Sequence, residues 1–333
     1  MGQTVLTSGV HSEYVLGPLS EYLRKNGHNV VEIDFGLQKG DVETQIRELA
    51  RDQVVYITSA HTNFSVRMAR QILPLFATSY PNYLCPLEII PLLGTNLKSI
   101  YVPHDLLTPY GDTNLQEFRF LSVYDHILAP ANAHALKATI GGHTQVHDMG
   151  WIKFNSELRR KNTVCKVSGF KVSVFISMLE HLRFKLGLEG LVDYIKPIMK
   201  SGYSIKLPVW HGIDELERVL RCSGMQVVPS DVSSIELIDE SDVVICNGAS
   251  SIHAEAAYMG KPTICLSGEE GISSVAQKEK LSGFPEIYFM SHEQLSALDE
   301  SGLKSIASKP RVVTPRVFEF SEVATLINKL FAA

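Results

Sequence analysis

The sequence is poor in the features that would settle its class at once. Five cysteines (Cys85, Cys165, Cys222, Cys246, Cys265) are spread over 333 residues with no CxxC spacing. This argues against a disulfide scaffold and a thiolate metal site, and fits a reducing, cytoplasmic setting. No apolar run approaches the roughly 18 residues that span a bilayer. The start, MGQTVLTSGVHSEYV, lacks a charged region followed by an apolar stretch, so no signal peptide is expected. Leu6 stands where a myristoylation pattern wants Ser or Thr. Charge of one sign is also missing: the formal net charge is −5, which excludes nucleic-acid binding by bulk charge. There is no G-x-G-x-x-G, no G-x-x-x-x-G-K-[ST] and no G-x-S-x-G. NAD-binding, P-loop and α/β-hydrolase readings therefore lose their main support, and Asp34 at a strand end does not restore the first.

What is present is an ordinary globular composition, 45% hydrophobic and 20% charged, and a long alternation of strand-like and helix-like segments. Strands are expected at 4–10, 28–35, 53–60, 99–105, 124–130 and 145–150, with helices over 12–26, 41–51, 64–80 and 132–140. The polar stretch 151–165 reads as a linker. A second series follows, with strands at 171–178, 203–210, 225–229, 242–248 and 262–268, and helices near 186–201, 212–222, 232–240 and 251–259. The tail 315–333 carries Val317, Phe320, Val323, Leu326, Ile327 and Leu330 at helical spacing. The expected fold is α/β: two doubly wound, Rossmann-like domains facing across a cleft, 1–155 and 166–333, with the terminal helix able to cross back to the first. A ligand site is then expected at the carboxyl ends of the strands.

The segment most informative about chemistry is CNGASSIHAEAAYMGKP, 246–262, directly after the apolar Val243, Val244 and Ile245. Gly248 lies in a turn at the predicted strand end, and Ser250 or Ser251 opens a helix whose free N–H groups favour an anion. Glu255 stands one turn on, placed for a pair of sugar hydroxyls. Phosphate at the serines and ribose at the glutamate would together bind a nucleotide. A plain serine-capped helix explains the same spacing, and spacing alone does not choose. Gly260-Lys261-Pro262 ends the helix on either reading.

ESDVVICNGASSIHAEAAYMGKPTICL (240–266) resembles the donor-binding segment of GT-B-fold nucleotide-dependent transferases, and is most similar to the CDP-glycerol glycerophosphotransferase group. In the same order, TSGVHSEYVLGPLSEYLRKNGHNV (7–30), SIYVPHD (99–105) and VHDMGWIKFN (146–155) resemble the first turn, a histidine-ended strand and the closing strand of such enzymes. Departures are Pro208 with His211 three residues later where that group has His-Pro, Ile152 in place of a proline, and Asn155 in place of an acid. The resemblance implies transfer of a glycosyl or polyol-phosphate group from a CDP- or UDP-linked donor to the hydroxyl of a carbohydrate or lipid-linked acceptor. Surface polysaccharide or teichoic-acid-like synthesis would use such a step, at the inner face of a membrane with peripheral contact. Non-hydrolysing UDP-sugar 2-epimerases and a GT-B-like binding protein without turnover are the competing readings.

Transfer needs a base for the acceptor and a stabiliser for the departing phosphate. His104, after a predicted strand, is the first candidate base. His11, in the first turn, and His211, standing in for the displaced histidine, are the others. Lys206 either screens phosphate or sits on an exposed strand face. His253 is two positions from Glu255, on a different face, and reads as a packed or surface residue more readily than as a ligand. His143 and His147 have the i, i+4 spacing of a metal pair but no acidic partner nearby, so no metal is expected and no cofactor beyond the nucleotide donor.

Overall fold

The computed structural model describes residues 4–8, 15–33, 35, 39–60, 82–103, 120–130, 133–156, 169–176, 179–208, 213–247, 252–266, 285–309 and 316–332. Aliphatic and β-branched runs form its strands, and several inner ones are buried along their whole length, as parallel strands covered on both faces must be. The first series is β1 (Thr4–Ser8), β2 (Asn29–Glu32), β3 (Val54–Thr58), β4 (Leu97–Tyr101), β5 (His126–Ala129) and β6 (Gln145–Asp148). They make one sheet, ordered β2-β1-β3-β4-β5-β6, with every neighbouring pair parallel. Central β3, VVYIT, is buried at all five positions.

Four helices connect these strands among the described residues: α1 (Gly17–Lys25), α2 (Lys39–Leu49), α3 (Pro86–Leu93) and α4 (Ala133–Ile140). Helix α3 has no counterpart in the sequence reading, because PLEIIPLL carries a proline inside it at Pro91. It holds because Pro86 occupies the first turn, where no N–H is needed, and the Glu88 carboxylate accepts from the Cys85 N–H at 2.8 Å. The helix expected over 64–80 lies outside the described residues.

Residues 151–155 correct the linker expected there. They form β7 (Trp151–Asn155), with Trp151, Ile152 and Phe154 buried. Its partner is β14 (Val317–Phe318), in parallel. The charged residues just downstream hid a short strand whose Lys153 sits between the apolar Ile152 and Phe154. Gly150 is where the returning chain passes: its φ is +80°, and a Cβ there would stand 2.5 Å from the Arg316 carbonyl oxygen. Helix α11 (Phe320–Ala332) then lays Phe320, Val323, Ile327 and Leu330 into one core with Leu16, Leu19 and Leu23 of the α1 region and Val5, Val55 and Ile57 of the sheet.

The second series is β8 (Val172–Phe175), β9 (Tyr203–Lys206), β10 (Gln226–Val227), β11 (Val243–Asn247), β12 (Thr263–Leu266) and β13 (Ile287–Met290). Its order, β10-β9-β8-β11-β12-β13, is again wholly parallel. The helices are α5 (Leu179–Ile195, broken at Gly187), α6 (Ile213–Cys222), α7 (Ser234–Glu240), α8 (Ile252–Tyr258), α9 (His292–Ala297) and α10 (Glu300–Ala307). The sequence reading passed over β13, α9 and α10. Yet SHEQ at 291–294 is a capping box, with Ser291 Oγ accepting from the Gln294 N–H and the Gln294 side chain returning the bond.

By packing, the chain divides into Met1–Thr108 with Asn114–Ser156 and Arg316–Ala333, and Pro109–Thr113 with Glu157–Pro315. Each unit is a doubly wound α/β sheet, the fold class that the strand–helix alternation predicts.

Candidate functional site

Strand order places the candidate site. Counted within its own unit, the second sheet runs 3-2-1-4-5-6, so crossovers leave β8 and β11 on opposite sides and open a crevice at their carboxyl ends. Phe175 is in register with both Lys206 and Cys246, which puts the tips of β9, β8 and β11 on one edge. Asn247 is the last residue of β11, fully buried, and α8 starts five residues later.

Helix α8 is unusual in being buried on all sides: His253 through Tyr258 are each enclosed. The small side chains Ala254, Ala256 and Ala257 make that possible. Glu255 is thus a buried carboxylate, 3% exposed, one turn into the helix that follows the switch-point strand. His253 is packed, one of the two placements expected for it. Burial pushes its imidazole down to about 4, so it is neutral at physiological pH.

The helix ends as the GKP sequence indicated. Gly260, at φ +69°, donates to the Ala257 carbonyl, and the Lys261 N–H donates to the Ala256 carbonyl at 2.9 Å, the paired bonds of a Schellman stop. The Lys261 ammonium is committed elsewhere: it donates to the Asp239 and Ser241 carbonyls at the end of α7. That satisfies orphan carbonyls and complements the helix dipole.

Lys206 lies at the carboxyl end of β9, and it is buried, which corrects the alternative of an exposed strand face. Its ammonium donates to the Pro229 and Ser230 carbonyls, each at 3.2 Å. Burial lowers its pKa, with Asp231 acting in the opposite direction. Glu255 and Lys206 are therefore brought to the same edge of the same sheet. Gly248, Ser250, Ser251, His11, His104 and His211 lie outside the described residues.

Two clusters were not foreseen. In the first unit Thr7, Thr58 and Ser59 are buried at the carboxyl ends of β1 and β3, the switch point of that sheet. Thr58 Oγ1 accepts from the Ala60 N–H at 3.1 Å. The residue types were visible, but only the strand order makes those two strands neighbours. The second cluster concerns His147. It pairs with His126, Nε2 to Nδ1 at 2.9 Å with the rings stacked, and not with His143. Burial first, then the neighbouring His147, pushes His126 down to about 4, and burial lowers His147 as well. Among the described residues no group of three or more His, Cys, Asp or Glu side chains forms a metal-binding set. No helix among them is long and apolar enough to cross a membrane.

No protein-family model matches the chain, and no curated protein sequence matches it. Solved structures do match in fold. The UDP-GlcNAc 2-epimerase of Methanocaldococcus jannaschii is 12% identical, with all of both chains covered and a TM-score of 0.55. The same enzyme in complex with UDP-GlcNAc and UDP gives 11% and 0.53, again over all of both chains. The S. aureus MnaA protein, solved with UDP, is 12% identical over 100% of this chain and 97% of its own, with a TM-score of 0.55. At such identities the likeness is one of fold: two doubly wound units of the GT-B type.

Proposed function

We propose that the chain is a GT-B-type enzyme that binds a nucleotide-activated sugar or polyol at the carboxyl edge of its second sheet. The group is then transferred to an acceptor hydroxyl. The observation that carries this is the buried carboxylate of Glu255, one turn into the helix behind the switch-point strand. A carboxylate held there at the cost of its hydration suits the two hydroxyls of a ribose, which donate to it. Ser250 and Ser251 would hold the phosphates on the preceding turn, with Gly248 letting the backbone approach. Lys206, already bonded to two carbonyls, would add positive potential without being the principal phosphate ligand. His104, His11 or His211 would take the acceptor proton. The reaction needs no metal on this scheme.

Calorimetric titration with UDP, CDP, UDP-GlcNAc and CDP-glycerol tests the reading. One nucleotide family should bind, and Glu255→Gln should weaken it by about tenfold, the worth of one lost hydrogen bond to a charged group, with folding intact. Unchanged affinity removes Glu255 from the site. A folded protein that binds none of the four leaves the GT-B-like protein without turnover.

A second reading is favoured by the fold likeness to UDP-GlcNAc 2-epimerases. Incubation with UDP-GlcNAc and no acceptor, followed by proton NMR, separates the two. An epimerase converts the sugar to its 2-epimer, whereas a transferase leaves it intact or slowly hydrolysed.

A further inference from the structure

A cavity of about 310 Å³ opens at the amino edge of the second sheet, the end opposite the tips that carry Lys206 and Asn247. Its volume is at the lower end of the roughly 300–1,000 Å³ typical of small-molecule sites. Ser173 of β8, Ser204 of β9 and Gln226 of β10 are cross-strand partners, so their side chains leave the same face side by side. In a helix-covered parallel sheet that face is ordinarily aliphatic. Here Ser173 is 2% exposed, and so is Ser241, which reaches it from the end of α7.

Ser241 Oγ donates to the Leu237 carbonyl oxygen at 2.6 Å and to Ser173 Oγ at 2.7 Å, a shared proton. Ser173 and Ser204 lie 3.3 Å apart, and either hydroxyl can be the donor to the other. Towards the cavity Ser204 therefore presents a neutral hydroxyl that can donate or accept. At the rim Lys171 Nζ and Glu240 Oε2 are 2.8 Å apart, so the lining carries no net charge. Phe170 supplies an apolar wall and Gln226 a carboxamide that both donates and accepts.

We infer that this cavity is a second ligand site, for a neutral polyhydroxylated molecule of monosaccharide or smaller polyol size. One hydroxyl pairs with Ser204 Oγ, another meets the Gln226 amide, and the C–H face lies against Phe170. The site is separate from the nucleotide edge and does not depend on the function proposed there.

Amide NMR of the full chain, titrated with glycerol, glucose and N-acetylglucosamine, tests it. Inorganic phosphate and methylammonium serve as charged controls. A neutral polyol should give saturable millimolar shifts centred on Ser173, Ser204 and Gln226. Ser204→Ala should weaken binding by about tenfold, and Gln226→Ala, an exposed strand position that leaves the hydroxyl chain intact, by several-fold. Absence of saturable shifts with all three polyols overturns the inference. So does a preference for either charged control, or equal affinity in wild type and Gln226→Ala.

Discussion

The two units are built on nearly the same plan and differ in how their sheets are covered. In the first, both faces are aliphatic and aromatic. Val5, Val55 and Ile57 face α1 and α11, while Leu6, Val54 and Tyr56 face α2 and α3. In the second, one face carries the large core of Val172, Val174, Ile205, Val243 and Ile245. The opposite face bears Ser173, Ser204, Lys206, Cys246, Thr263 and Cys265 beside Phe175 and Val244. Small and polar residues there let α8 come close and leave room at the amino edge. The second unit thus gives part of one face to small and polar side chains where the first keeps large apolar clusters on both.

Acid should separate the units most strongly. His126 and His147 in the first and His253 in the second are held below the ordinary histidine value. From about pH 6.5 downward the unfolded chain takes up protons that the folded units refuse, so stability falls until about pH 4 and then levels. The loss is at most about 3 kcal/mol per fully resisting imidazole. Unit-resolved amide exchange against pH measures it, and His253→Leu should flatten the decline of the second unit alone. Next, Ile327→Ala should cost about 2–4 kcal/mol by cavity formation. Urea melts should show that loss in exchange of first-unit amides with the second unchanged. Loss in both units would break the assignment of α11.

Gly150→Ala meets both a positive φ and the Arg316 carbonyl, and should cost about 2 kcal/mol in the same urea melts. Ser173→Ala removes one link of the hydroxyl chain while Ser241 keeps its bond to Leu237. It should cost about 1 kcal/mol, and a matching change at Thr7 of the first sheet should cost less. Smallest is Arg24→Ala: the Arg24–Glu32 pair at 3.0 Å is nearly half exposed on both sides, and its loss should be within about 0.5 kcal/mol.

Much of the architecture was legible because burial leaves a strong mark on parallel strands. β1, β3, β8, β11 and β12 each fall within an expected apolar run. The missed elements had competing signals: an internal proline in α3, charged neighbours after β7, and little length in α9 and β14. At the candidate site, the strand, the helix and its stop around Glu255 could be read, since these are local features, while the turn and cap at 248–251 lie outside the described residues. The burial of Glu255 could not be read, because that depends on Ala254, Ala256 and Ala257 admitting other elements on every side. The His126–His147 pair and the serine chain were equally invisible: their members lie 21 and 31 residues apart, and adjacent strands bring them together.

The return of β14 and α11 to the first sheet has a consequence for synthesis. As the chain leaves the ribosome, the first unit lacks Phe320, Val323, Ile327 and Leu330 until the second unit has been made. The second unit is whole at Pro315, before the returning segment begins, so it is expected to be able to mature first although most of it is encoded later. The nascent first sheet must wait with one face uncovered, which makes that interval the stage most exposed to aggregation and to chaperone capture.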